Sequence, residues 1–549
     1  MISKVIINRL RSLLDKMVDP AQVAFVPNRW INENIVMAHE IVHSFKHTGK
    51  KKGFLGIKLD FQKAYDRMEW SFLLEVLRAF GFSGSFVNLI HQCLSSVEFS
   101  LLLNGSQCPS FSPSRGLRQG DPISPYLFIL GSEVLLRLIN REVDQQRLSG
   151  VKASNTAPPI SKLCYADDII LFCKAKSSEL ATLKVCLEKY CSWLSQSINI
   201  EKFGCFPSKG VSPQFINQVR CSWGLNILSN NTTYLGVPLF LSRSKNKDFR
   251  YIKERLDSKL SGWKSKNLSW SGKATLIKSV AQAIPAYAMS IIQLPKGLCE
   301  QLDESTRRFW WNSKTKFGSY WTPISWSTFC WPQKEGGLGF RNLWDFNQAF
   351  LSKFGWWILT GKDCPCVNVL REKYKIHNNW LTHSCHGHAS PFWKSLLGVK
   401  HIIAKARCIV LGSGDSIRIW SDPWIPDLPG YIPSPKVDAN PDLALVVSQL
   451  LSSDPCRWDV HKLNYFFDET VVDLILKIPI PISRSVDSWS WTVINSRSFQ
   501  PNLLIGCAGQ PRPPRILMLL GVKYGNPSFM SALRCFCGEL LPTCCLLKR

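Results

Sequence analysis

Tyr165-Ala166-Asp167-Asp168 stands between two apolar runs, residues 160–164 and 169–173. An apolar run, a short polar tip and a second apolar run read as strand, tight turn, strand, with two adjacent carboxylates at the tip. Like charges side by side are costly unless a cation neutralises them. A divalent metal is their natural partner, and hard oxygen ligands favour Mg²⁺ or Mn²⁺. The alternative is a solvated Asp-Asp turn.

A third carboxylate lies upstream. Gly53-Phe54-Leu55-Gly56-Ile57-Lys58-Leu59-Asp60 alternates, with Leu55, Ile57 and Leu59 on one face and Lys58 and Asp60 on the other. Asp60 thus ends a buried strand and points away from the core face. Three carboxylates on two strand ends can hold two metal ions about 4 Å apart, the arrangement that serves phosphoryl transfer. Between them lies Arg115-Gly116-Leu117-Arg118-Gln119-Gly120-Asp121-Pro122-Ile123-Ser124-Pro125. Its glycines and arginines suit a loop whose backbone approaches a polyanion. Asp121 or Ser124 can cap a following helix, with Pro122 or Pro125 at its first position. That helix runs to about residue 141, with Leu127, Leu130, Val134, Leu135 and Leu138 at helical spacing. The alternative is a capped core helix after an ordinary loop.

In this order the set resembles the reverse transcriptases of non-long-terminal-repeat, LINE-type retrotransposons, the plant ones especially. The matching blocks are Leu59-Asp60-Phe61-Gln62-Lys63-Ala64-Tyr65-Asp66, Gly116-Leu117-Arg118-Gln119-Gly120-Asp121-Pro122 and Tyr165-Ala166-Asp167-Asp168. Ser197-Ile198-Asn199-Ile200-Glu201-Lys202 and Tyr234-Leu235-Gly236-Val237-Pro238 follow, and the likeness begins near Gln22-Val23-Ala24-Phe25-Val26-Pro27. It implies an α+β right-hand polymerase with partial fingers, a palm built on an antiparallel sheet, a helical thumb and a mixed C-terminal connector.

The resemblance also implies roles. Asp60, Asp167 and Asp168 bind the catalytic metals, two Mg²⁺ or Mn²⁺ ions, with help from the backbone carbonyl of Phe61. Tyr65 stands where an aromatic ring excludes a ribose 2′-hydroxyl; the alternative is core packing. Gln119 and Gly120 face nucleotide and template, and Leu235 and Gly236 hold the primer end. Lys202 lies near the triphosphate, able to neutralise or protonate pyrophosphate; the alternative is a solvated lysine. The implied partners are an RNA template, a DNA primer and deoxynucleoside triphosphates.

Composition agrees with a polyanionic partner. The chain has 67 Lys+Arg against 40 Asp+Glu, a formal net charge of +27, a field that attracts nucleic acid salt-dependently. Charge alone does not separate RNA from DNA or an enzyme from a passive binder. At 549 residues, 45% hydrophobic, several globular domains are expected. No apolar stretch is long enough for a membrane span. Met1-Ile2-Ser3-Lys4 leads into an amphipathic helix rather than a secretory signal. The 20 cysteines lack a disulfide-framework spacing and are expected to be reduced in an intracellular protein; the family's work at chromosomal targets implies nuclear access.

The expected division is 1–52 partial fingers, 53–240 palm, 241–309 thumb-like helices, 310–498 Trp-rich connector and 499–549 aberrant or disordered tail. Helices are expected over 34–45, 70–80 and 178–195, and a strand over 99–104. Trp263, Lys264, Lys266, Trp270, Lys273 and Lys278 interleave rings with cations. With Arg115 and Arg118 they are candidate nucleic-acid contacts; the alternative is a basic helix whose tryptophans are core. Gly412-Ser413-Gly414 reads as a glycine turn between strands, too common a pattern for a nucleotide site. Cys364, Cys366, His377, His383, Cys385, His386 and His388 offer soft ligands but match no defensible zinc spacing.

The chain starts within the fingers pattern, and the sequence after residue 499 departs from the family, without the acidic constellation of a ribonuclease H. Ser195 and Phe203 replace a usual glycine and serine. The expected function is RNA-directed DNA polymerisation by two-metal nucleotidyl transfer. The alternatives are an inactive retroelement remnant that only binds nucleic acid and a host-adapted interaction protein.

Overall fold

A computed structural model describes residues 2–491 apart from 48, 50–52, 265–267, 312–319, 377–379, 383–387, 438–441, 453–456 and 482–484, and without the side chain of Lys264. Residues 499–549, Lys266 and the ligand candidates His377, His383, Cys385 and His386 therefore lie outside the described residues. The chain mixes helices with a five-stranded sheet. In spatial order its strands are Lys162–Tyr165, Asp168–Lys174, Phe54–Leu59, Gly204–Pro207 and Asn226–Ile227. Neighbours are antiparallel except the last pair.

The central strand shows why the runs are so apolar. Leu55, Ile57 and Leu59 pack with Ile169, Leu171 and Cys173 into a core shared with helices Ser124–Asp144 and Ser177–Leu194. The opposite face is covered too. Ile170, Phe172 and Phe206 join a second core with helix Ile31–His47, and a Cβ on Gly56 would meet the Phe206 ring at 2.2 Å. A sheet buried on both faces needs nearly continuous apolar strands. Only at its ends do carboxylates reach solvent.

Most expected helices form with shifted ends: Ile31–His47 is longer than expected, while Trp70–Ala79 and Ser177–Leu194 stop one residue sooner. Ser195 ends the latter at φ 53°, a left-handed position that explains why glycine suits it. Helix Ser124–Asp144 has Pro125 in its first turn. Ser124 is not its cap; Asp121 Oδ1 instead accepts the N–H of Ile123 at 3.1 Å.

The expected strand over 99–104 is corrected. Leu102–Leu103 pairs only with Ser106–Gln107, and a single bridge joins Phe99 to Phe111. Leu101, Leu102 and Leu103 stand exposed; with no sheet edge to join, their β propensity has nothing to pack against.

Beyond the sheet, helices Arg250–Lys264, Trp270–Leu276, Lys296–Trp310, Leu343–Thr360, Pro365–Lys373 and Pro391–Ala406 contribute to the same core as Ile31–His47. A separate core gathers Ile409, Ile417, Ile419, Trp424, Leu463 and Phe467. Within it the Gly412-Ser413-Gly414 turn wraps a carboxylate. Asp487 accepts the N–H groups of Gly412 (2.8 Å), Gly414 (2.9 Å) and Ser416 (3.2 Å) and the Ser416 hydroxyl (2.6 Å). Those amides are spent on the protein's own anion. Cys364 and Cys366 are buried thiols, and no described cysteine is in a disulfide. No described helix is long and apolar enough to cross a membrane.

Candidate active site

Sheet register sets the backbones of Asp60, Asp167 and Asp168 at one end of neighbouring strands. Leu59 pairs with Ile169; one step further along antiparallel strands sets Asp60 opposite Asp168. Tyr165 pairs with Asp168, so Ala166-Asp167 is the two-residue turn. Ala166 sits at φ 53°, a left-handed conformation that costs a non-glycine residue about 1–2 kcal/mol. The turn is held from behind. Fully buried Gln22 accepts the Ala166 N–H at 2.9 Å and the Ala24 N–H at 3.1 Å on one side-chain oxygen. The Cys164 carbonyl accepts from Val23 N–H (3.1 Å) and from Asn34 Nδ2 (2.7 Å).

The 197–202 segment folds onto Asp60. Gln62 N–H donates to Ser197 O (2.9 Å) and Asn199 N–H to Asp60 O (2.8 Å). Asn199 Nδ2 donates to Asp60 Oδ2 at 3.2 Å, and Lys202 Nζ lies 3.3 Å from the same oxygen. The Lys202 side chain is 65% exposed against 18% for Asp60. So open a pair adds little stability; its interest is its position. Lys58, 15% exposed, lies 3.8 Å from Asp168 Oδ1 and donates to the Thr233 carbonyl at 3.1 Å. It therefore links a site carboxylate to the hairpin Thr233–Tyr234/Val237–Pro238, whose turn is Leu235-Gly236, at φ 48° and 78°.

Burial pushes the Asp167 carboxyl above the usual carboxylate range; its own N–H and Lys202 pull down, and Asp60 pushes up. Asp168 is likewise raised by burial, against Lys58, with Asp167 and Asp60 adding repulsion. Among the described residues no group of three or more Asp, Glu, His or Cys side chains is placed to hold a metal ion. Asp60 turns to Asn199 and Lys202, and Asp168 to Lys58. The donors still fit a hard divalent cation. They are carboxylates, half-buried and mutually repelling, and a cation would relieve both burdens. The Phe61 ring is buried against Tyr190, which leaves only its backbone for any ligand role.

The other candidates divide. Tyr65 is half-buried, its ring stacked on Phe128 at 4.6 Å and 7°; burial and then Asp167 raise its hydroxyl pKa. The glycine loop packs beneath it. Leu117 N–H donates to Tyr65 O and Gly116 N–H to Met68 O, both at 2.8 Å, and Trp70 Nε1 donates to Gly116 O at 2.7 Å. A Cβ on Gly116 would lie 2.7 Å from the Asp66 carbonyl oxygen, so Gly116 serves this internal contact, whereas Gly120 opens to free space. Arg118 and Gln119 are exposed; Arg115 pairs with Glu69 at 3.4 Å.

Lys273 is a correction. It is only 5% exposed. Its ammonium donates to the Trp310 carbonyl at 3.1 Å and sits over the Trp270 ring at 4.6 Å, so its charge stabilises a helix junction rather than meeting phosphate. Lys264 ends helix Arg250–Lys264. The sequence reading gave no role to Gln22, Asn34 or Lys58. Only Lys58 carried a signal, since the strand's alternation put it on the face of Asp60.

Residues 1–239 match the reverse transcriptase (RNA-dependent DNA polymerase) family. An Arabidopsis thaliana protein whose name assigns it provisionally to ribonuclease H is 31% identical over 261 residues, 46% of this chain and 42% of the relative. The 149 kDa protein of transposon TX1 from Xenopus laevis is 28% identical over 62% of this chain and 25% of its own length. The Pol polyprotein of retrotransposable element R2DM from Drosophila melanogaster is 28% identical over 43% of this chain and 20% of its own. The chain thus spans less than half of each of these relatives. Apo telomerase from Candida tropicalis aligns over 56% of this chain and 54% of that one at 13% identity and TM-score 0.32, too loosely to carry weight. Residues 1–239 therefore resemble the reverse transcriptase (RNA-dependent DNA polymerase) family, and the chain is similar to proteins of non-LTR retrotransposons.

Proposed function

We propose that this chain is an RNA-directed DNA polymerase that extends a DNA primer on an RNA template, with Asp60, Asp167 and Asp168 at the reacting centre. One observation carries the reading: sheet register sets Asp60 opposite Asp168 at the end of a doubly buried sheet, with Lys202 on Asp60. Residues 53–240 then act as palm, 1–52 as part of the fingers and 241–309 as thumb. Bound Mg²⁺ or Mn²⁺, two ions in this reading, would supply charge neutralisation at the α-phosphate and a more acidic primer hydroxyl.

The chain's own groups do the rest. Asp60, Asp167 and Asp168 provide the anionic cradle. Lys202, exposed beside Asp60, swings to the departing pyrophosphate and gives it charge or a proton. Lys58 keeps Asp168 in line with the turn at Leu235-Gly236, which seats the primer end. Tyr65, braced by Phe128, fills the space a ribose 2′-hydroxyl would need. Gln119 and Gly120 face nucleotide and template, and Arg115 and Arg118 lie on the nucleic-acid side of that loop. The test is template choice. One DNA primer is annealed to an RNA or to an unrelated RNA, with Mg²⁺ and deoxynucleotides, and the products are sequenced. Products complementary to each RNA support the proposal; binding of both RNAs without any product contradicts it.

A further inference from the structure

Helix Ile31–His47 touches the candidate active site on one side and the helices of residues 343–406 on the other. Toward the site, Asn34 Nδ2 donates to the Cys164 carbonyl, one residue before Tyr165, at 2.7 Å. His39 Nε2 lies 2.9 Å from the Pro238 carbonyl, at the end of the Leu235-Gly236 hairpin. Away from it, the helix is gripped by charge. Lys353 sits 3.7 Å over the Trp30 ring, and Lys362 pairs with Glu33 at 2.9 Å. Glu40 has no exposed surface. Its carboxylate meets Lys373 (2.7 Å), the Tyr374 hydroxyl (2.9 Å) and the Ser390 hydroxyl. Lys373 also donates to the Glu40 carbonyl (3.0 Å) and to Ser44 Oγ (3.1 Å).

Apolar packing alone tolerates small slides of one helix along another. A buried carboxylate does not, because each partner it loses leaves charge uncompensated in the interior, and such groups are best attested as devices that fix register. The grip therefore sets the axial position of a helix whose other face holds the strand leading into Asp167 and Asp168.

We infer that Glu40 and Lys373 are positioning residues for nucleotidyl transfer: the 343–406 segment sets the catalytic hairpin through helix Ile31–His47, Asn34 and His39. The inference rests on the polymerase reading for its kinetic consequence but not for its structural one. Two measurements on the full chain test it: primer extension over a range of template concentrations up to saturation, and hydrogen exchange across residues 162–174. The variants are Lys373→Met, the charge-balanced pair Glu40→Gln/Lys373→Met, and Tyr374→Phe, which removes one donor and no charge. For variants that melt as cooperatively as wild type, kcat falls about tenfold for the first two and about threefold for the third. KM for template stays within about twofold, and exchange at 162–174 rises. A folded variant with wild-type kcat and wild-type hairpin exchange overturns the inference. If the wild type extends nothing, that result counts against the polymerase reading, and the exchange data alone decide the positioning claim.

Discussion

Asp167 and Asp168 carry opposing demands. Burial raises both carboxyls above the ordinary 3.8, so without a cation the folded chain takes up protons more readily than the unfolded one. Their contribution favours folding below about pH 3.8 and becomes a cost as pH rises through the raised values. In EDTA at neutral pH, Asp167→Asn should melt about 2 °C or more above wild type, an advantage that vanishes as pH falls toward 4. Mg²⁺ should raise the melting temperature of wild type more than that of the variant; equal responses would remove the cation from this site. Tyr65 is tested by substrate choice. With its ring braced on Phe128, Tyr65→Val should relax discrimination against ribonucleotides by about 10–200-fold, read as the ratio of kcat/KM values. An unchanged ratio would return Tyr65 to a packing role. These carboxylates were legible because alternation and paired charge are local. Gln22 was not, since its contact with Ala166 spans 144 residues of chain.

At the scale of elements, the glycine loop separates two uses of one residue type. Gly116 has φ 89° with Asp66 O in the way of a Cβ, while Gly120 has φ 91° and open space. Gly116→Ala should therefore destabilise by about 2–4 kcal/mol and Gly120→Ala by about 1–2 kcal/mol in urea titrations; equal losses would place both costs in backbone strain alone. The central strand, the hairpin and the long helices were legible from periodicity. The 99–104 segment was not, because Leu101-Leu102-Leu103 has strand chemistry but no neighbouring edge. Lys273 misled for a related reason. Composition cannot tell an ammonium offered to phosphate from one capped by the Trp310 carbonyl.

At the scale of the molecule, a net charge of +27 predicts that RNA affinity falls steeply with salt, the log–log slope being about −0.7 per phosphate contacted on a single strand. A flat dependence would mean that charge is not what binds RNA. One core joins helix Ile31–His47, one face of the sheet and the helices through Ala406, crossing segments that sequence pattern alone separates. Amphipathic spacing shows that a helix has a buried face but not which distant face covers it. In the proposed function, three aspartates on adjoining strand ends form a nucleotidyl-transfer centre. Its most direct test is primer extension on RNA with Mg²⁺ by wild type and by Asp167→Asn/Asp168→Asn, each checked for RNA binding. Extension by wild type, with at least about a 10³-fold loss in the variant at unchanged binding, is the predicted result. Extension that survives in the variant, or RNA binding by wild type with no extension at all, would contradict it.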